Sequence, residues 1–350
     1  MKKLKIAILF GGNSPEYPVS LQSAYAIIKA LDENRYDKIL IGITKDGSWY
    51  RYYGDIEHIK DDSWHCNLSN CVPVSIYPDP KIHGIIEFKS EGYEVTVLDA
   101  AFPVMHGRFG EDGTVQGLIE LAGIPLIGCD TLSSALCMDK YRAHKLISQA
   151  GIKTPKSIVL SDLSQTRKYK KFIQRLNYPL FVKPVRAGSS FGISKVLNEG
   201  QLETAINLAF LYDNQVIVEE YIEGFEVGCA ILGNSDLIIG EVDEIELNDG
   251  FFDYTEKYSL KNSKIHMPAR IDADMANRIK KTAARIYRAL GCKGFARVDM
   301  FVTPDKKIVF NEVNTIPGFT ANSRFPNMMK GIGLSYSDIL DKLIELGTKV

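Results

Sequence analysis

The apolar run Lys5-Ile6-Ala7-Ile8-Leu9-Phe10 ends in Gly11-Gly12-Asn13-Ser14-Pro15, and helical apolar spacing follows through Leu21, Ala24, Ile27, Ile28 and Leu31. A strand, a glycine loop and a helix in that order bring the next strand back parallel to the first, so this opening commits the chain to an α/β sheet. Ser20 reads as the N-cap of the helix. Further strands are expected at 38–44, 95–98 and 101–105, and His106 begins the loop that leaves the sheet. The stretch 50–92, rich in Tyr, Asp and Pro, reads as a surface insertion with short strands.

A chain of 350 residues exceeds what one core usually serves, so two or three closely packed domains are expected. A helical pattern over 130–152 closes at Gly151 with Pro155 beyond it, and a small α+β unit follows. Its strands are expected at 178–184, 192–196 and 215–220, around a helix at 202–212. Strands at 226–232 and 238–245 come next, followed by a polar, aromatic loop at 248–262. A helix carrying Met275, Ile279, Ala283, Ile286 and Leu290 precedes a hairpin of 295–301 with 308–314 and a last helix at 336–346.

Composition narrows the function. With 45% hydrophobic and 24% charged residues the chain is an ordinary globular protein, and 42 basic against 43 acidic residues leave no broad field for nucleic acid or an anionic membrane. Any anion site must be local. The basic-then-apolar start is too short to span a bilayer and is followed by no small-residue cleavage site. Cysteines at 66, 71, 129, 137, 229 and 292 show neither metal-site spacing nor a disulfide framework, which points to a reducing cytoplasm.

The hairpin carries the most informative chemistry. Period-2 alternation puts Arg297 with Asp299 on one face and Glu312 with Asn314 on one face. If the two faces coincide, they form the hard-oxygen set that Mg²⁺ prefers when substrate phosphates complete its shell. An arginine–carboxylate pair on a solvated sheet is the plainer reading, but Asn314-Thr315-Ile316-Pro317-Gly318 directly after it is a turn able to aim backbone N–H groups at an oxyanion. Lys140, Lys183 and Lys257 are candidate phosphate cations, Lys183 because it sits near the end of an apolar strand. The loop Ala187-Gly188-Ser189-Ser190-Phe191-Gly192 is small enough for its backbone to approach phosphate oxygens. Glu219 and Glu226 flank a strand exit where a carboxylate suits a ribose and backbone groups suit an adenine edge. His106-Gly107-Arg108-Phe109-Gly110-Glu111-Asp112-Gly113 places a titratable ring at a strand's C-terminal end, a usual ligand position in open α/β sheets.

Two other function classes compete. Gly188-Ser189-Ser190-Phe191-Gly192 matches the G-x-S-x-G of serine hydrolases, but the β-like residues Ile193-Ser194-Lys195-Val196 follow where a nucleophile elbow needs a helix. A nucleotide-binding module without catalysis is suggested by Gly11-Gly12, but neither G-x-G-x-x-G nor G-x-x-x-x-G-K-[ST] occurs.

Taken in order, these pieces resemble the ATP-grasp ligases, and specifically the D-alanine:D-alanine ligase family. The resemblance runs through Gly11-Gly12-x-Ser14-x-Glu16-x-x-Val19-Ser20, His106-Gly107-x-x-Gly110-Glu111-Asp112-Gly113, Met138-Asp139-Lys140 and Lys183-Pro184-x-Arg186-x-Gly188-Ser189-Ser190-x-Gly192. It continues through Asp253-Tyr254-x-x-Lys257-Tyr258, Arg297-x-Asp299 and Glu312-x-Asn314-Thr315-x-Pro317-Gly318. It implies a three-domain α/β ATP-grasp fold: a parallel-sheet domain at 1–137, an α+β lid at 138–221 and an α+β catalytic domain at 222–350.

The chemistry so implied is phosphoryl transfer from ATP to the carboxylate of D-alanine, then attack by a second amino acid's amine on the acyl phosphate. By this resemblance Glu16 holds the first ammonium group, linked through Ser189 to Tyr258, and His106 lies beside that subsite. Arg297 and the Gly318 N–H stabilise the transferring phosphoryl group and the oxyanion. Asp299, Glu312 and Asn314 hold Mg²⁺, expected as two ions with Mn²⁺ as a substitute. Lys140, Lys183, Ser190 and Lys257 meet the phosphates, and Glu219, Ile222 and Glu226 surround adenosine. A homodimer is the family expectation.

Departures from the pattern bear on the acceptor. Phe252 and Arg324 stand where D-alanine:D-alanine ligases more often carry Tyr and an aliphatic residue, and Pro18 replaces an acidic residue. Ser323-Arg324-Phe325-Pro326 looks instead like the vancomycin-resistance ligases, the VanG type of D-alanine:D-serine ligase being most similar in Asp243-Glu244-Ile245-Glu246-Leu247 and in Phe251-Phe252-Asp253-Tyr254-Thr255-Glu256-Lys257-Tyr258. D-lactate ligases lack this Lys257-Tyr258 loop, so an amine nucleophile is expected, with D-serine as second substrate, Phe252, Ser323 and Arg324 at its pocket and D-alanine as the alternative acceptor.

Overall fold

The computed structural model describes residues 2–188, 191–247 and 263–349. Its first sheet is built from β1 (Leu4–Gly11), β2 (Tyr36–Ile43), β3 (Trp49–Tyr52), β4 (Cys71–Ile76), β5 (Gly84–Phe88), β6 (Tyr93–Val97) and β7 (Ala100–Val104), in the order β6-β5-β4-β3-β2-β1-β7. The strand–glycine–helix opening does produce parallel pairing, since β1 runs parallel to β2 and to β7. The parallel part stops there, because β3 to β6 extend the sheet antiparallel. Residues 50–92 are therefore part of the sheet rather than an insertion upon it, and the strand expected at 95–98 is β6 at its far edge. Trp64, from that same stretch, is fully buried edge-on to Phe10 at 5.1 Å, in space that a side chain at Gly42 would occupy.

The first helix, Tyr17–Ala30, begins earlier than expected. Glu16 holds the N-cap position and Pro18 lies in the first turn, where a missing N–H costs nothing. Ser20 is not the cap: its buried Oγ accepts from the Gly11 N–H at 2.8 Å and donates to the Val104 carbonyl, stapling β1 to β7. The expected helix at 130–152 is two helices, Thr131–Met138 and Lys140–Gln149. Each starts on an aspartate, Asp130 accepting from the Ser133 N–H and Asp139 from the Arg142 N–H, so Asp139 breaks the run and caps the second helix.

The second sheet contains β8 (Ser157–Leu160), β9 (Leu180–Pro184), β10 (Ser194–Val196) and β11 (Val216–Glu220), ordered β10-β9-β11-β8 and antiparallel throughout. The third contains β12 (Phe225–Leu232), β13 (Ile238–Leu247), β14 (Ser263–His266), β15 (Phe295–Val302) and β16 (Ile308–Asn314), ordered β14-β13-β12-β15-β16 and also antiparallel. One face of this sheet, with Val227, Cys229, Val298 and Met300, packs on the amphipathic helix Ala273–Ala289. Side-chain alternation turns the other face, with Gly228, Asp243, Arg297 and Asp299, toward the site.

Apolar packing is shared unevenly. Phe10, Phe102 and Ile127 belong to one buried cluster with Phe295, Phe319, Phe325 and Leu343, so the first and third sheets meet across a common core. The second sheet keeps a separate cluster, from Leu160 to Val218. Among the described residues no helix is long and apolar enough to cross a membrane.

Candidate active site

Strand register answers the question left by the hairpin. Arg297 lies opposite Asn314 and Asp299 opposite Glu312, so the two faces coincide. One extra residue, Asn311, bulges out of β16 where Asp299 pairs with Glu312 and Met300 with Phe310, a device that re-aims side chains beside a site. Asp299 is buried, takes Arg297 Nε at 2.9 and 3.1 Å and Nη2 at 2.8 Å, and accepts from Asn314 Nδ2 at 2.9 Å. Lys140, at the start of its helix, reaches Glu312 at 3.5 Å and donates to the Ala187 carbonyl at 2.7 Å. Among the described residues no group of three His, Cys, Asp or Glu is set to hold a metal alone. Two carboxylates and an amide oxygen on neighbouring strands instead fit an ion whose remaining ligands come from phosphates.

Lys183 and Glu219 pair across β9 and β11, both buried. Among the described residues the second oxygen of Glu219 is buried without a hydrogen-bond partner, and so is Nδ1 of His144, whose Nε2 bonds the Asn311 carbonyl at 2.7 Å. Burial pushes the His144 pKa down, so its ring is neutral and Nδ1 is an acceptor. Two such acceptors near a lysine suit a donor-bearing ligand. Ile222 lies beyond β11 and lines a cavity of about 520 Å³ with Lys153, Lys156 and Glu220.

The loop after β7 closes the other side. His106 is buried, its Nδ1 2.8 Å from the Ile316 carbonyl and its Nε2 3.2 Å from Ser23 Oγ. Burial, opposed by the bond to Ile316, pulls its pKa down to about 4. Glu111 accepts from the Gly107 N–H at 2.9 Å and from the Ile316 N–H at 3.1 Å. Burial and then the negative charge of Glu16 push the Glu111 pKa up to about 8. Glu16 itself is buried at the start of the first helix, and a Cβ at either Gly107 or Gly188 would run into its carboxylate. Gly107 also has φ +72°, so the residue is doubly constrained to glycine. Gly188 brings the loop after β9 against Glu16, which places Glu16 between two chain segments.

Arg324 borders a cavity of about 570 Å³ together with Lys264, Met267 and Asn322, and its guanidinium turns inward from it. It is buried on the third sheet, Nε and Nη2 each 2.7 Å from Asp243, Nη2 3.4 Å from Asp299 and Nη1 3.8 Å from Glu226. Gly228 makes room for it, since a Cβ there would strike Nη2. Burial alone would lower the guanidinium's pKa, but Asp243 and then Asp299 outweigh it and keep the group charged. Ser323 Oγ accepts from the Thr320 N–H at 2.9 Å, and a Cβ on Gly318 would lie 3.2 Å from it, so Ser323 and Gly318 adjoin. Of the remaining expected site residues, Ser189, Ser190, Phe252, Lys257 and Tyr258 lie outside the described residues. Sequence reasoning passed over Ser23, took Asp243 only as part of a family-like segment and Glu111 only as part of a loop; a serine on a helix face carries no spacing signal, and a strand aspartate does not reveal that its partner is Arg324. The strand β10 after Gly192 gives the G-x-S-x-G match no nucleophile elbow.

Known proteins supply a frame for this geometry. The model described as D-ala D-ala ligase N-terminus matches residues 5–129, and that described as D-ala D-ala ligase C-terminus matches residues 146–345. The crystal structure of VanG D-Ala:D-Ser ligase from Enterococcus faecalis superposes with a TM-score of 0.92 at 59% identity, covering 99% of each chain. A D-alanine--D-alanine ligase of Caldicellulosiruptor bescii is 44% identical over 351 residues, covering 99% of this chain and 95% of that protein. A putative D-alanine--D-lactate ligase of Streptomyces coelicolor is 44% identical over 351 residues, covering 99% and 98%. These names differ in the acceptor, so overall likeness does not choose it.

Proposed function

The chain belongs to the D-alanine–D-alanine ligase family and is a ligase, and from that premise we propose that it joins D-alanine to D-serine at the expense of ATP through a D-alanyl phosphate. The observation that carries the D-serine reading is Arg324, locked by Asp243 in a chain 59% identical to a D-Ala:D-Ser ligase. A second D-alanine presents a methyl group, whereas D-serine presents a hydroxyl that costs about 1–3 kcal/mol if buried unpaired. Two of Arg324's nitrogens are committed to Asp243, which favours an indirect part for it: a fixed charge that orients a water or a neighbouring polar group, with Phe252 and Ser323 completing the pocket.

The residues divide the work. Glu16 receives the ammonium of the first D-alanine, in a niche that Gly107 and Gly188 leave open, with Ser189 and Tyr258 linked to it and His106 alongside. Lys140, Lys183 and Lys257 neutralise phosphate charge and the backbone near Ser190 lies along it, which is most of what phosphoryl transfer asks of a protein. Glu219, whose free oxygen needs a donor, suits the exocyclic amine of adenine, with Ile222 and Glu226 around the rest of the nucleoside. Arg297 and the Gly318 N–H steady the negative charge that develops when the amine attacks. Asp299, Glu312 and Asn314 would hold two Mg²⁺ ions, or Mn²⁺ in their place, which neutralise the phosphates when bound. The domains are 1–137, 138–221 and 222–350, the setting is the cytoplasm, and the assembly is a homodimer.

Phosphate release and product identification test this directly. With ATP and equal D-alanine and D-serine, mainly D-alanyl-D-serine is expected; predominant D-alanyl-D-alanine would refute the serine reading and leave the family untouched. ATP-independent ester cleavage, or stoichiometric labelling of Ser190, the serine of the G-x-S-x-G match, by a serine-directed acylating probe, would instead favour a hydrolase.

A further inference from the structure

The turn that ends in Gly318 is held from outside its own sheet. Ile316 is gripped at both ends of its polar backbone: its carbonyl accepts from His106 Nδ1 at 2.8 Å and its N–H donates to Glu111 Oε1 at 3.1 Å. One residue past Gly318, the Phe319 N–H donates to Ser23 Oγ at 3.1 Å. These bonds fix proton positions. A carbonyl only accepts, so Nδ1 of His106 carries the hydrogen and Nε2 carries a lone pair. Ser23 Oγ, already accepting from Phe319, spends its own proton on that lone pair at 3.2 Å. Glu111 closes the ring by holding the Gly107 N–H beside His106 at 2.9 Å.

We infer that Ser23, His106 and Glu111 form a clamp from the first sheet that sets the direction of the Gly318 N–H, making Ser23 and Glu111 positioning residues for the ligation step. This rests on the assignment of the Gly318 N–H to the developing oxyanion. The clamp holds a neutral Nδ1–H imidazole, so His106 orients the turn rather than moving a proton. Residues 316 and 319 bracket Gly318 on both sides, and neither has its amide satisfied within its own strand or helix. Losing either anchor lets the turn rotate, and a displacement of about 1 Å at a reacting centre costs on the order of a hundredfold in rate.

The test uses the full chain and two ligands that report different things. A phosphinate dipeptide mimics the tetrahedral oxyanion, and a non-hydrolysable ATP analogue reports the nucleotide site. Ser23→Ala and Glu111→Gln are expected to lower kcat by about 10- to 100-fold and to weaken the phosphinate by the same factor, with ATP-analogue affinity changed by no more than about twofold. Ser23→Thr, which keeps the hydroxyl, should recover most of the loss. A general structural defect would weaken both ligands together, and either that result or unchanged phosphinate binding overturns the clamp. The unmodified chain gives an independent reading: nitrogen NMR should find His106 as the Nδ1–H tautomer, not titrating between about pH 5.5 and 8. An Nε2–H or titrating ring refutes the proposal even if the variants fail to fold. No ligation by the unmodified chain would instead refute the reaction on which the clamp rests.

Discussion

Replacing Arg324 by Met should be costly for a reason that the local charges make quantitative. The guanidinium faces Asp243 and Asp299, which are 0% and 1% exposed. Removing it leaves a buried carboxylate that held two charge-assisted bonds with none from that partner, and breaking such a pair destabilises by about 3–5 kcal/mol. In a protein of 350 residues that corresponds to a fall in thermal midpoint of roughly 4–7 °C. Urea unfolding followed by far-ultraviolet circular dichroism, alongside thermal scans, measures it. The double variant Asp243→Asn with Arg324→Met separates charge from shape: with no carboxylate left unpaired at 243, it should recover a substantial part of the loss, a coupling that the two singles do not predict by addition. Arg324→Lys should fall between, since an ammonium keeps the charge but not the two-pronged geometry. A cost below about 1 kcal/mol for Arg324→Met, the level of an exposed pair, would show that the charges are hydrated and would refute the reasoning. The same position bears on the acceptor, because Arg324→Leu is expected to erode any D-serine preference while D-alanine activation persists.

Glu312→Gln should keep the fold but cut turnover by about a hundredfold or more, since the phosphates lose a charged bridge; near-normal Mg²⁺-dependent turnover would remove Glu312 from the ligand set. Glu111 gives a pH signature. Its pKa lies up at about 8 because burial and the charge of Glu16 oppose its ionisation, so Glu111 gains negative charge as pH rises through that value and strengthens the attraction of this site for the ammonium of the first D-alanine. KM for that substrate should fall between about pH 7 and 8.5, and a flat or rising KM contradicts the arrangement. The stability sign is the opposite: the folded state keeps a proton that the unfolded carboxyl has already lost, so the Glu111 contribution favours folding at low pH and fades from the ordinary carboxylate range up to about pH 8.

The hairpin was the most legible part of the site, because period-2 alternation fixes which residues share a face, and pairing of Arg297 with Asn314 and Asp299 with Glu312 then follows from register. The opening strand and helix were legible for the same kind of reason. The stretch 50–92 was not, since β3, β4 and β5 are short and their amphipathic pattern is interrupted by turns, while their burial comes from partners outside the stretch: Tyr52 and Cys71 cluster with Phe10, and Val74, Ile76 and Ile85 with Leu9 and Ile119. Ser20 looked like a cap because capping serines precede apolar runs, but Pro18 started the helix a turn sooner and freed the hydroxyl for a tertiary bond. Arg324 was visible as an unusual residue, but its partner Asp243 lies 81 positions away and nothing in the local pattern announces it. The Ser23 contact with Phe319 spans 296 positions and belongs to the same class of long-range polar bonds.

The shared packing of Phe102 with Phe295 and Phe319, at 6.0 and 6.4 Å, has a bearing on how such genes can be recombined. A chimera that joins the first third of one relative to the last third of another inherits two halves of one aromatic interlock, and it will express well only where both parents carry rings of matching size at these positions. The segment from Leu160 to Val218 encloses its own apolar cluster and should exchange between relatives with little penalty. Crossovers at the edges of that segment are therefore the productive ones, and a library built with breakpoints near 156 and 221 should yield far more folded protein than one broken near 137.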